Sequence, residues 1–264
     1  MARVIAVTNQ KGGVGKTTTC VNLAASLAAT RRRVLLVDMD PQGNATMGSG
    51  VDKNALELSG YDVLTKRASP VEVIVKTDAS GFDLLPANGD LTAAEVELMN
   101  EIGREHRLRL ALNSVRENYD YILIDCPPSL NLLTVNSLSA ADSVLIPMQC
   151  EYYALEGLAA LMNTVEQIKE TVNPNLEIEG ILRTMYDPRN SLTLDVSGQL
   201  SEYFGEKVYR AVIPRNVRLA EAPSYGMPAL AYDKTSKGAV AYLALAGEMV
   251  RRHGSKKTSA AVAV

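Results

Sequence analysis

Cysteine is scarce in this chain: 264 residues contain three, at positions 20, 126 and 150. They are far apart, odd in number and form no CxxC pair, which speaks against a disulfide framework and against a zinc site. Three buried thiols in a reducing compartment account for them. Long apolar runs are lacking as well. No stretch reaches the roughly 18 residues that a membrane-spanning helix needs. The N-terminus, MARVIAVTNQ, has one Arg and then an alternating apolar stretch, without the h-region and cleavage site of a secretory leader. No internal repeat or low-complexity linker interrupts the chain. Charge of one sign is not in excess: the net value is −3, which gives no overall attraction to nucleic acid.

The chain is 47% hydrophobic, enough to bury one sizeable core. Its charge is unevenly placed. Residues 1–175 carry 15 Lys/Arg against 21 Asp/Glu, and residues 176–264 carry 12 against 9. Such asymmetry marks a local basic face on an acidic protein. Four of the late bases, Arg251, Arg252, Lys256 and Lys257, lie near the tail.

Apolar strand patterns fall at 3–8, 33–40, 82–87, 119–125, 143–149, 176–186 and 208–214. Helical spacing falls at 16–29, 103–118, 153–171, 191–204 and 236–252. Near-continuous Val/Ile/Leu strands separated by helices predict an α/β fold: a twisted, mostly parallel sheet with helices on both faces. The pattern predicts one domain over 1–253 and a disordered tail over 254–264. Ligands in such sheets bind beyond the carboxyl ends of the strands. Three polar segments fall there: TNQKGGVGKTT, DMDPQGN and DCPPS.

The first contains a phosphate loop. Gly12, Gly13 and Gly15 allow a tight turn with inward N–H groups, and a helix starts at once. Gly12 to Thr18, with Val14 inside the turn, form the cradle. Lys16 is placed to reach β- and γ-phosphates, Thr17 to bind Mg²⁺, and Thr18 to add a hydroxyl near the α-phosphate. The first glycine of the usual pattern is replaced by Gln10, and a second lysine, Lys11, follows it. Asp125 ends a hydrophobic strand in the manner of a Walker B acid. Asp38 and Asp40 end another, with Pro41 and Gly43 after them marking a turn.

QKGGVGKTT, LLVDMDPQGN, ILIDCPPS, QCEYYALEGL and VIPRNVRLAEAPSYGMP resemble the deviant Walker A P-loop ATPases. Within these the chain is most similar to the short, Soj-type ParA chromosome- or plasmid-partitioning proteins, from about residue 2 to about residue 250. The resemblance implies an ATPase that uses ATP and Mg²⁺ and pairs face to face as a homodimer when ATP is bound. Lys11 would reach the phosphates of the opposite subunit, offsetting their repulsion, and Gly12 would let the two backbones approach. Asp40 would position the attacking water, Asp38 would support the metal's water shell, and Asp125 would be the Walker B acid. Pro214, through its carbonyl, and Asn216 would recognise adenine. Arg189 and Arg218 match basic positions that contact the DNA backbone, and Lys234 and Lys237 are further candidates. Such contacts give affinity without reading sequence. The implied partners are non-specific double-stranded DNA and a ParB-type centromere-binding protein that speeds slow basal hydrolysis. The implied location is the cytoplasm, on the nucleoid.

Rival readings remain. A MinD-like membrane-binding ATPase needs a C-terminal amphipathic helix. Residues 251–264 have bases but no Leu, Phe or Trp, and Gly254 is expected to interrupt a helix, so no membrane partner is expected. The nitrogenase iron protein branch needs cluster-ligating cysteines, and Cys126 and Cys150 do not match that pattern. Larger ParA proteins carry an N-terminal helix-turn-helix. This chain starts at its first strand, so specific operator binding by that route is not expected. A small-molecule P-loop kinase or ligase would need a polar acceptor pocket and gives Lys11 no task. A nucleotide-dependent scaffold that barely hydrolyses ATP would not need Asp40.

Overall fold

The computed structural model describes residues 1–77 and 79–262. Eight strands enter one sheet: β1 (Arg3–Val7), β2 (Val34–Asp38), β3 (Val75–Lys76), β4 (Asp83–Leu85), β5 (Tyr121–Asp125), β6 (Ser143–Gln149), β7 (Glu177–Tyr186) and β8 (Val208–Pro214). Their order is β3-β4-β2-β5-β1-β6-β7-β8. Every neighbouring pair is parallel except β3 with β4. The helices, in chain order, are α1 (Lys16–Ala29), α2 (Asn44–Gly48), α3 (Gly60–Leu64), α4 (Pro70–Val73), α5 (Leu91–Glu97), α6 (Arg107–Asn113), α7 (Leu132–Ala140), α8 (Ala154–Thr171), α9 (Ser191–Phe204), α10 (Val217–Glu221), α11 (Ala229–Tyr232) and α12 (Lys237–Val262).

Two cores result from strand alternation. Val4, Ala6, Val37, Ile122 and Ile124 point to one face, where they meet Leu112 of α6, Leu138 of α7 and Leu158 and Leu161 of α8. Ile5, Val7, Leu36 and Leu123 point to the other, against Leu23 and Leu27 of α1 and Tyr242, Leu245 and Met249 of α12. Each fully buried Leu or Ile contributes about 1.5–3 kcal/mol. Both faces of the central strands are therefore apolar, which is why they read as unbroken hydrophobic runs.

Some elements differ from the sequence pattern. The helix expected over 103–118 is α-helical only over Arg107–Asn113, because Gly103 takes a left-handed φ of 68° and short 3₁₀ turns flank the helix. α7 lies in the small-residue stretch LLTVNSLSA, whose all-round burial leaves no polar stripe to reveal it. The two-residue antiparallel edge strand β3 is too short to show periodicity. The tail expected to be disordered from residue 254 is instead helical backbone through Val262. A single Gly costs a helix only about 1 kcal/mol, and Lys and Ala beyond it are good helix formers. Ala263 and Val264 lie outside the described residues.

A buried polar cluster fastens α12 to the amino end of the sheet. The Glu179 carboxylate accepts from His253 Nε2 at 2.8 Å, Tyr209 Oη at 3.0 Å, Ser143 Oγ at 2.8 Å and Arg3 Nε at 3.2 Å. Burial alone would raise this carboxyl. The His253 bond and charge, the Arg3 guanidinium and the Ser143 hydroxyl outweigh burial and hold it at about 2. A depressed carboxyl stabilises the fold above its unfolded value, and that contribution is lost as pH falls toward 2. Glu179→Gln should therefore lower the unfolding midpoint at neutral pH. Its deficit against wild type should shrink between about pH 4.5 and pH 2 in denaturant titrations.

Candidate nucleotide-binding site

Parallel register assembles this site. Val7, the last residue of β1, pairs with Asp125, and Asp125 pairs on its other side with Asp38 of β2. Neighbouring strands lie about 4.8 Å apart. Two carboxylates 87 positions apart in sequence thus become lateral neighbours, one strand from the loop that leaves β1.

The loop is tied to the sheet at both ends. Asn9 Nδ2 donates to the Pro147 carbonyl of β6 at 2.8 Å, and Asn9 Oδ1 accepts from the Lys11 N–H at 3.0 Å. The Thr184 hydroxyl of β7 donates to the Val14 carbonyl at 2.8 Å. Gly13 and Gly15 take left-handed φ values of 73° and 88°, where a side chain is strained. Gln10 is not among the positive-φ residues, so its replacement of the usual glycine costs the loop nothing. Gln10 instead bonds Thr164 of α8 at 3.0 Å. Lys16, 7% exposed, folds back so that its ammonium donates to the Lys11 carbonyl at 3.2 Å. Burial lowers its pKa, while Asp125 pulls the other way. Lys11, Gly12 and Gly13 are exposed, and Thr17 and Thr18 are half-buried on the first turn of α1.

The acids differ in their bonding. Asp38 is fully buried; its Oδ2 accepts from the Thr46 N–H and hydroxyl, both at 2.8 Å, and its Oδ1 accepts from the Asp40 N–H at 3.1 Å. Asp125 is fully buried too, and its Oδ2 has no hydrogen-bond partner. Burial raises the pKa of both Asp125 and Asp38. Mutual repulsion adds to the shift of Asp125. An unpartnered buried carboxylate oxygen facing a second carboxylate is a place that a cation would relieve. No group of three or more His, Cys, Asp or Glu among the described residues forms a metal cage. Mg²⁺ is usually held by few protein oxygens together with water and phosphate. Asp40 is partly exposed, and its Oδ1 accepts from the Gln42 N–H at 2.9 Å.

Pro214 and Asn216 open onto a cavity of ≈450 Å³ that reaches the loop at Gly15 and Thr18. Asn216 Oδ1 is buried without a hydrogen-bond partner and lies against Gly238 of α12. The residues fit an adenine nucleotide at both ends. Met185, with a left-handed φ of 48°, also lines this cavity beside Thr184. Sequence reasoning missed Thr46, Thr184 and Met185. Thr46 lies in the short helix α2 and Thr184 and Met185 near the end of β7; none carries a motif, and only the fold brings them to the acids, the loop and the cavity.

The basic residues expected at DNA lie beyond this cavity. Arg189 is exposed and makes a bidentate pair with Asp187, at 2.9 and 2.8 Å. Arg218 pairs with Glu221 at 2.7 Å and Asp233 at 3.5 Å, which places it beside the turn that bears exposed Lys234 and leads to Lys237. Arg215, not singled out from sequence, is exposed, lines this cavity and acts electrostatically on Asp187. Its signal was the Arg within VIPRN.

The AAA domain family model matches residues 2–178. The sporulation initiation inhibitor protein Soj of Bacillus subtilis is 55% identical over 249 residues, covering 94% of this chain and 98% of that protein. The chromosome partitioning protein ParA of Caulobacter vibrioides is 52% identical over 261 residues, covering 98% of each. A solved structure described as cobyrinic acid a,c-diamide synthase from Mycobacterium smegmatis, with bound ATP analog and magnesium, has a TM-score of 0.85 at 39% identity, over 97% of both chains. Fold and loop thus define a P-loop ATPase with a second lysine in its phosphate loop. Within that class the chain belongs to the ParA/Soj chromosome-partitioning family. No helix among the described residues is long and apolar enough to cross a membrane.

The Thr46–Asp38 bonds give a direct test of the acid frame. Thr46→Val keeps the shape but removes the hydroxyl's bond to Asp38 and the bond it accepts from the buried Ala87 N–H, so it should destabilise the chain by about 1–3 kcal/mol in urea unfolding.

Proposed function

We propose that this chain is a Mg²⁺-dependent DNA-partitioning ATPase whose ATP-bound form pairs through its nucleotide face and binds DNA without sequence preference. The observation that carries the reading is the exposed Lys11 on a loop whose other lysine, Lys16, is buried in the cradle. One lysine serves the chain's own phosphates, and the other is free of that duty. Mg²⁺, when bound, would neutralise charge on the β- and γ-phosphate oxygens. Lys16 and the loop N–H groups hold the phosphates, Thr17 and Asp125 address the metal side, and Asp38 keeps the Asp40 segment in place. Asp40, on the half-open rim, positions water. Phosphoryl transfer depends mainly on such positioning and charge stabilisation.

Two facing nucleotide sites repel each other, and a Lys11 ammonium donated across the interface offsets that repulsion. Pairing doubles the face that carries Arg189, Arg218, Lys234 and Lys237. The ion pairs of Arg189 and Arg218 are surface contacts of the kind worth about 0–1 kcal/mol, so phosphate can replace the acids readily. A ParB-type protein at centromere sites would stimulate hydrolysis and return single ADP-bound chains to the cytoplasm. The solved relative with a metabolic description keeps an amide-forming ligase as a second reading. The higher identities, 55% and 52%, to Soj and ParA favour partitioning.

Size-exclusion chromatography with ATP should show a trapped dimer for Asp40→Ala and single chains for Lys11→Ala. Asp40→Ala should lower ParB- and DNA-stimulated phosphate release by about 10²-fold or more. DNA binding by the trapped dimer that is no stronger than binding by the nucleotide-free chain would sink the reading. Gly12→Val gives a second check. A Cβ at Gly12 meets nothing within 4 Å in the single chain. The variant should therefore fold with an unchanged unfolding midpoint and fail to pair with ATP.

A further inference from the structure

The Lys11 ammonium is engaged in the single chain: it donates to Glu151 Oε2 at 2.7 Å. Both partners are anchored to the same frame. The Lys11 N–H is held by Asn9, and Asn9 is bonded to the Pro147 carbonyl within β6. Gln10, next to Lys11, is bonded to Thr164 of α8. Glu151 sits in the turn that joins β6 to α8, where its N–H donates to the Gln149 carbonyl at 2.9 Å and its carbonyl accepts from the Ala154 N–H at 3.0 Å. β6 and α8 therefore hold the lysine's backbone and the carboxylate's backbone in fixed relation.

An ammonium that neutralises an acid of its own chain cannot at the same moment offset phosphate charge on another chain. We propose that Glu151 is a positioning residue for Lys11, retaining the ammonium in cis in the single chain and so raising the protein concentration at which ATP-dependent pairing occurs. The proposal rests on the pairing reading above. The side chains are 47% and 44% exposed, so the contact is a surface ion pair and a weak restraint. It is strong enough to bias an equilibrium and weak enough to be given up when a second chain presents triphosphate. Release of Lys11 also leaves the Glu151 carboxylate uncompensated on the pairing face, which favours return to the single chain after the phosphates are lost.

The test uses the full chain with Glu151→Gln, which keeps the shape and removes the charge, and Glu151→Asp, which keeps the charge. The first arm needs no nucleotide. Acylation of Lys11 by an N-hydroxysuccinimide ester, read by mass spectrometry, should be about two- to fivefold faster in Glu151→Gln than in wild type, and near wild type in Glu151→Asp. The second arm measures pairing by light scattering with a non-hydrolysable ATP analogue. Both chains of a pair must release Lys11, so Glu151→Gln should lower the half-pairing concentration by about four- to twenty-five-fold. A purely structural role for Glu151 would not strengthen pairing. Unchanged Lys11 acylation in Glu151→Gln, or pairing at an equal or higher concentration than wild type, overturns the proposal. Wild-type protein that stays single with the analogue overturns the pairing reading itself, and the acylation arm distinguishes that outcome from loss of the cis contact.

Discussion

The parallel pairing of β5 with β1 on one side and β2 on the other is the constraint on which the site depends. Backbone hydrogen bonds along these strands place Asp125 beside both Val7 and Asp38. Two carboxylates side by side in a dry interior is an unfavourable arrangement, and burial raises the pKa of each. It persists because the cores above and below the sheet hold the strands in register. Thr46 and the Asp40 N–H together satisfy one carboxylate, whereas the other keeps an open oxygen.

The loop beside these acids is held by neighbouring strands as well as by its own residues. β6 supplies the Pro147 carbonyl for Asn9, and β7 supplies the Thr184 hydroxyl for Val14. A cradle so tethered is preorganised, and little ordering remains to be done when phosphate enters. The same two strands continue beyond the loop: β6 leads into the Glu151 turn, and β7 leads past Met185, which lines the neighbouring cavity, to the Asp187–Arg189 pair. The phosphate loop, the Glu151 turn and the Asp187–Arg189 pair thus all adjoin strands of one sheet.

The central strands were legible because they are buried on both sides and read as continuous Val/Ile/Leu runs. The loop was legible because its glycines and lysines lie within nine consecutive residues. Helix α7 was not, since a helix buried all round has no polar stripe. The end of α12 was misjudged from Gly254, because one glycine is a small penalty against a run of good helix formers.

Sequence alone determined the class of fold, the phosphate cradle, and the presence of a second lysine and three strand-end acids. These are properties of local pattern: periodicity, conformational freedom and residue type at fixed spacing. The tertiary structure decided which acid is open and which is satisfied, that Thr46, Thr184 and Met185 belong to the site, and that Lys11 rests on Glu151. Those facts depend on strand order and on contacts between residues up to 170 positions apart, as Thr184 and Val14 are. No short-range pattern encodes such distances. Register and packing set them.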